Sequence, residues 1–289
     1  MSENKNPALR TDVTVPPQKE SGLKRRNIRK WVLRITLGFA ILSPLVFIVG
    51  AIGAKLGLWG WQFGLGTLTR QVGPKVLMAS LALGLISLLL AYFVRPRKGF
   101  FIGAVAVILP VLGFAHLKSV QSTAQKLPAI HDITTDTQDV PKFGALILAE
   151  RAEVEGVNTV DYIGKMAATR DAEGNRGQKL VSVLQTKAYP DIRSIVIGDD
   201  KEVAFGKAKA VAEQMGWDVK VSDLSEGRIE ATDTTFWYGF KDDVIIRLRD
   251  SEGGGTLIDV RSVSRVGRSD LGKNADRIRK FLEKMKAGD

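Results

Sequence analysis

Cysteine is absent from the 289 residues, and histidine occurs only twice. The first absence excludes disulfides, thiolate metal sites and a cysteine nucleophile, and it fits a chain that folds in an oxidising compartment. The second leaves Ser-His chemistry little to work with. His116 sits at the end of an apolar run, and His131, although followed by Asp132, has no nucleophile in an elbow context. Acidic residues are scarce in the first 117 positions, which hold 15 Lys and Arg against 3 Asp and Glu. Residues 118–289 hold 27 against 28, so the net charge of +11 comes entirely from the first part of the chain. That distribution excludes a nucleic-acid partner, because the polar part has no net attraction for phosphates. Charge is also missing from one long stretch, with none in the 19 residues Val76–Val94.

Such a run is long enough to cross a bilayer. Trp31 to about Ala54 and Phe100–Leu117 are comparable, so the sequence predicts three transmembrane helices with membrane lipid around them. The first run is longer than the apolar core of a signal peptide, which is about 7–15 residues. Lys24, Arg25, Arg26, Arg29, Lys30 and Arg34 flank it, and Arg95, Arg97 and Lys98 separate the second span from the third. Positive flanks stay in the cytoplasm. Residues 1–30 then form a disordered basic cytoplasmic tail, 31–117 the membrane region, and 118–289 an extracytoplasmic domain. In a Gram-negative cell this is a multi-pass inner-membrane protein with a periplasmic C-terminal domain. Leu56–Lys75, rich in glycine and carrying Trp59, Trp61 and Phe63, has the composition of an interfacial segment.

The polar part is clearest from Asp191 onward. Ile192–Ile197 reads as a strand, and Asp199 with Glu202 opens a helix whose face carries Val203, Ala204, Ala208, Val211, Ala212 and Met215. Gly216 closes it. Strands follow at Trp217–Val221, Arg228–Phe240, Val244–Arg249 and Thr256–Val266. Gly267 breaks the last, Ser269 or Asp270 stands at an N-cap, and Leu271, Ala275, Ile278, Leu282 and Met285 line a final helix. The order β-α-β-β-β-β-α predicts an α+β domain, an antiparallel meander with both helices on one face. Before Asp191 the pattern is weaker. Residues 128–143 read as an extended arm, Gly144–Val154 as a short helix and Asp171–Gly177 as a loop.

Candidate chemistry gathers near the C-terminus. On the last strand Ile258, Val260, Ser262, Ser264 and Val266 share one face, and Asp259, Arg261 and Arg265 share the other. The small serines would let the final helix sit close. Arg228–Phe240 changes its apolar side along its length, which predicts a bulge or two partly covered faces. One reading is an arginine and aromatic face that takes an anionic, lipid-like ligand, with Arg261, Arg265, Arg268, Ser269, Asp270, Asn274, Tyr238 and Asp243 as binding residues. The other is a solvated sheet face with cross-strand Arg–Asp pairs, its aromatics covered by an arm drawn from residues 119–160. The turn 266–271 is either an anion seat or a capped helix start. Asp242 and Asp243 form a carboxylate pair for a hydrolase or, more simply, cap a turn. No catalytic residue, metal ligand set or cofactor is assigned. A ligand-binding or envelope-partner-binding module, a hydrolase using Asp242, Asp243 and the 261–270 cluster, and a structural subunit of a membrane complex all remain open.

Four blocks carry a resemblance: ITTDTQDVPKF at 133–143, AYPDI at 188–192, GRIEATDTTFWYGFKDDVIIR at 227–247 and DVRSVSRVGRSDLGKNADRI at 259–278. They resemble the family known as domain of unknown function 1499, over about residues 128–286. The three-span N-terminal region is similar to the multipass version of that family. Many relatives begin the domain with a cysteine motif that this chain lacks, so any role of that cysteine does not carry over. The resemblance implies a membrane-tethered bacterial domain and no particular activity.

Overall fold

The structure, a computed structural model, describes residues 17–94, 98–170 and 173–287. The greater part of the expected tail, 1–16, and most of the basic loop at 95–98 lie outside the described residues. The chain forms two compact units, Met1–Ile48 with Thr67–Ala115 and Val49–Gly66 with His116–Asp289.

Helix α1 (Pro17–Lys55) starts well before Trp31, so the expected disordered tail is helical from Pro17. A π-helical segment (Gln62–Val72) leads into α2 (Gly73–Phe93), and α3 is Phe100–Lys126. Among the described residues three helices are long and apolar enough to cross a membrane, at Arg26–Lys55, Gln62–Phe93 and Phe100–Lys126. Lipid supplies no hydrophobic drive for helices to associate, so small residues and hydroxyls hold them. Gly73, Leu77, Ser80, Gly84, Ser87 and Ala91 form the buried seam of α2 at alternating spacings of about 3 and 4, a coiled-coil period. A Cβ on Gly84 would stand 2.8 Å from the Ala106 carbonyl carbon of α3. The prolines inside α1 and α3, Pro44 and Pro110, are each compensated. Pro44 cannot donate to the Ala40 carbonyl, and Ser43 Oγ does so at 3.0 Å. Pro110 likewise orphans the Ala106 carbonyl, and Ser80 Oγ of α2 reaches it at 3.2 Å.

The polar domain in the second unit is α+β. Its strands are β1 (Asp132–Thr134), β2 (Met166–Arg170), β3 (Arg176–Leu180), β4 (Ile195–Ile197), β5 (Asp218–Asp223), β6 (Arg228–Thr234), β7 (Lys241–Asp250) and β8 (Thr256–Ser264). Its helices are α4 (Ala145–Ala152), α5 (Val181–Ala188), α6 (Lys201–Gln214) and α7 (Lys273–Ala287). The main sheet runs β1-β8-β7-β6-β5, with β4 also on β8, and all its pairings are antiparallel. The predicted meander is therefore present. The arm adds a strand to it, and β2–β3 form a separate hairpin that the sequence reading did not anticipate.

Helices α6 and α7 pack on one face. Ile229, Ala231, Val244, Ile246, Leu248, Ile258 and Val260 meet Ala204, Ala208, Ala275, Ile278 and Phe281 in a single core. The N-cap of α6 is Asp200, not Asp199: Asp200 Oδ1 accepts from Val203 N at 2.9 Å, while Asp199 pairs with Lys207. Gly216 closes α6 as predicted, with φ +79°. Its N–H and that of Trp217 bond back to Glu213 and Ala212 in a Schellman arrangement. Helix α7 starts at Lys273, so Leu271 precedes the stripe, and Phe281 joins it fully buried.

Two strand expectations change. The irregularity lies in β5, between Val219 and Val221, rather than in β6. Strand β6 ends at Thr234, and Thr235–Phe240 is a turn with Tyr238 and Gly239 at positive φ. The other alternative, two covered faces, holds for β6, where Ile229 and Ala231 are buried on one side and Glu230 and Thr232 on the other; the aromatic side of the expected swap belongs to the turn.

Candidate functional site

Alternation in β6, β7 and β8 directs Glu230, Thr232, Asp243, Arg247, Arg249, Asp259, Arg261 and Arg265 away from the α6–α7 core. The apolar content of this second face is small: Ile245 and Val263 pack with Phe143 and Ile147. The arm and α4 cover it, and the arginines bond inside the protein.

Arg261 is 2% exposed. Its guanidinium forms a fork on Asp132 at 3.0 and 2.8 Å and donates to the carbonyls of Pro141 and Val160. It also lies over the rings of Phe143 and Tyr162. Burial and the Asp132 charge push the Tyr162 phenol above its ordinary value. Arg265 donates to both oxygens of Asp243 and reaches Glu150 at 2.8 Å. Arg151 of α4 adds a bond of 2.6 Å to Asp243, so one fully buried carboxylate serves two guanidiniums and accepts from Thr232 as well. Asp259 is the partner of Arg247 and Arg249, with Asp136 and Asp139 of the arm nearby. The cross-strand pairs Arg265–Asp243 and Arg247–Asp259 are as expected, but the face is buried rather than solvated, and the arm covers the charges while Phe236 and Trp237 stay exposed.

The remaining candidates fall in three other places. Asn274 is buried on the α7 side, donating to the His131 carbonyl and Ser264 Oγ and accepting from Ser262 Oγ and Arg277. Asp270 takes the N–H groups of Gly272 and Asn274, and Ser269 takes that of Leu271, so the 266–271 turn is a capped helix start. Burial pushes Asp270 up to about 6 despite those bonds. The Arg268 side chain is exposed, and its carbonyl contacts His131 Nδ1. Tyr238 belongs to the aromatic turn, stacked on Phe240.

Asp242 and Asp243 do not form a pair. Both lie inside β7, not in a turn, and consecutive strand residues point to opposite faces. Asp243 joins Arg151 and Arg265, while Asp242 bonds Arg277 of α7 at 2.6 Å. His131 and Asp132 are divided in the same way. His131 contacts Lys165 Nζ at 3.2 Å, and burial followed by that ammonium lowers the imidazole pKa. Lys165 is also lowered, chiefly by burial.

The sequence reading missed Asp132, Glu150 and Arg151 as partners of the arginines. It also missed a cleft of about 280 Å³ beside α7. Ile192, Ile195 and Leu282 give this cleft apolar walls, and Arg193, Arg279 and Lys286 bring positive charge against Asp191 and Glu283. Arg279 is held by Asp191, whose carboxyl is lowered by that hydrogen bond. Only the short edge strand and the i, i+3, i+4 spacing of Arg279, Leu282 and Glu283 on α7 hint at it in the sequence.

A family model described as "Protein of unknown function (DUF1499)" matches residues 132–285, and the chain belongs to that family. No curated protein matches it.

Proposed function

We propose that this member of a family without an assigned activity is a membrane-anchored binding module rather than an enzyme. Its ligand, in this reading, is an anionic amphiphile held in the cleft beside α7. The observation that carries the reading is the make-up of that cleft, with Ile192, Ile195 and Leu282 as walls and Arg193 and Lys286 at its margin. Apolar walls with a few placed charges are what a ligand carrying one headgroup and one chain needs. This is the chemistry first expected of the arginine face, moved to a place that solvent reaches. A hydrolase built on Asp242 and Asp243 finds less support, since each is buried and tied to arginine on its own side of the sheet. The basic flanks of the spans support a cytoplasmic N-terminus and a periplasmic domain in an inner membrane.

The test is mass spectrometry of small anions and lipids that co-purify with the full chain. Arg193→Glu combined with Lys286→Glu should remove the bound species and leave the melting temperature within a few degrees. Retention of the same species by that variant would refute the cleft. Hydrolytic activity lost in Asp243→Asn with the fold intact would refute the non-enzymatic reading.

A further inference from the structure

The turn between β6 and β7 presents Phe236 and Trp237 side by side, 67% and 51% exposed. Their rings meet edge to face at 4.9 Å. The exposure is built into the turn. Thr235 N donates to the Phe240 carbonyl at 2.8 Å, Phe240 N to Thr235 Oγ1 at 3.0 Å, and that hydroxyl to the Trp237 carbonyl at 2.7 Å. The chain reverses through Tyr238 at φ 63° and Gly239 at φ 66°. A turn pinned this tightly cannot fold its two rings back onto the domain.

Its surroundings within the second unit fix what the rings face. Lys55, the last residue of α1, places its ammonium 4.6 Å from the Phe236 ring centre. Phe240 lies 6.0 Å from Trp61, and Trp59 lies 5.7 Å from Phe63, in the segment that follows α1. A Cβ on Gly239 would stand 3.2 Å from Lys55 Cα, so this glycine lets the turn approach the helix end closely. Leu56 and Leu58 in the same segment are 67% and 68% exposed. Lys55 closes a helix long and apolar enough to span a bilayer. A lysine followed by two indoles is the composition of the headgroup layer.

We propose that Thr235–Phe240 is a second membrane contact of this protein, inserting Phe236 and Trp237 into the lipid interface beside the end of α1. The turn is the end of β6 and β7, the strands that carry Asp243 and Glu230. Lipid contact there fixes the sheet at a set height and tilt against the membrane. Aromatic rings gain most at the interface, where the apolar body leaves water and the indole N–H still finds a partner.

Since the chain has no cysteine, site-directed spin labelling needs no background removal. Trp237→Cys in the full chain, reconstituted into phosphatidylcholine and phosphatidylglycerol vesicles, would carry the nitroxide. Ser225→Cys, in the exposed turn at the opposite end of β6, is the reference. Collision with oxygen should exceed collision with a water-soluble nickel chelate severalfold at position 237, and the order should reverse at 225. A nickel preference at 237 equal to that at 225 would overturn the proposal. Protection from both reagents would overturn it too, since a second copy of the chain would then cover the turn. Vesicles with brominated acyl chains give an independent reading that leaves the turn unlabelled. They should quench the share of emission lost in Trp237→Phe, and no quenching of that share would also count against the proposal.

Discussion

The two faces of the main sheet are closed by different physics. Under α6 and α7 the contact is mainly apolar, with Ile246, Val260, Ile278 and Phe281 packed together and Trp217 stacked on Phe281 at 5.5 Å, and a local polar patch where Asp242 and Ser262 meet Arg277 and Asn274. Under the arm and α4 the same strands turn Asp243, Asp259, Arg261 and Arg265 inward, and every one of them is buried. Hydrophobic burial is non-directional, so many side chains of suitable volume would close the first face. Buried charges stabilise only when each meets a partner at hydrogen-bond distance, so the second face closes in one arrangement. One consequence is that the arm, which also buries Ile130, Ile133, Val140 and Phe143, is fixed in register by directed bonds. Asp132 and the carbonyls of Pro141 and Val160 all converge on Arg261.

The sharpest way to break this contrast is Asp243→Ala. Losing the carboxylate leaves Arg151 and Arg265 buried without a counter-charge, and the expected loss is about 5 kcal/mol. Phe281→Ala on the other face removes a large ring from a packed core and should cost about 3–4 kcal/mol. Denaturant titration of the full chain in detergent, followed by near-ultraviolet circular dichroism, measures both. A loss below 1 kcal/mol for Asp243→Ala would mean that water enters the ionic face and the two faces are not closed differently. Gly267→Ala should be milder, about 1–2 kcal/mol, because φ is +94° there while the nearest atom an added Cβ would meet is 4.0 Å away. An unchanged midpoint would show that the end of β8 relaxes freely.

The smallest effect is a pH trend. Asp270 titrates at about 6 in the folded protein against 3.8 for a free carboxyl, so the folded state holds its proton more tightly. Between those values the folded chain binds more protons than the unfolded one. This contribution to stability is therefore complete below about pH 4 and fades as the pH rises to about 6. Asp270→Asn should flatten that part of the curve, and an identical slope in the variant would remove Asp270 as its source.

Several features were legible locally. The small residues and alternating apolar positions of β7 and β8 identified the face that α7 covers, and Gly216 and Gly267 were placed correctly because a chain reversal leaves a composition signal. The α+β class and the three apolar helices followed from periodicity and run length. The cross-strand pairs of Arg265 with Asp243 and of Arg247 with Asp259 were legible as alternation, whereas the partners from outside the meander were not. Arg261 bonds Asp132, 129 positions earlier, and Arg265 bonds Glu150, 115 positions earlier, so neither leaves a trace in local spacing.

What the sequence determined by itself is what short-range sterics and hydrophobicity enforce: where a glycine closes a helix or strand, which strand face is apolar, and which runs suit a bilayer. What only the tertiary structure decided is how each charge is satisfied and where solvent still enters. Asp242 and Asp243, neighbours in sequence, went to opposite sides because a strand alternates. The arginine face was closed by an arm whose polar composition gave no sign of burial, and FWYGF became an exposed turn rather than the end of a strand. A buried charge is defined by its partner, and the partner here comes from the other end of the domain.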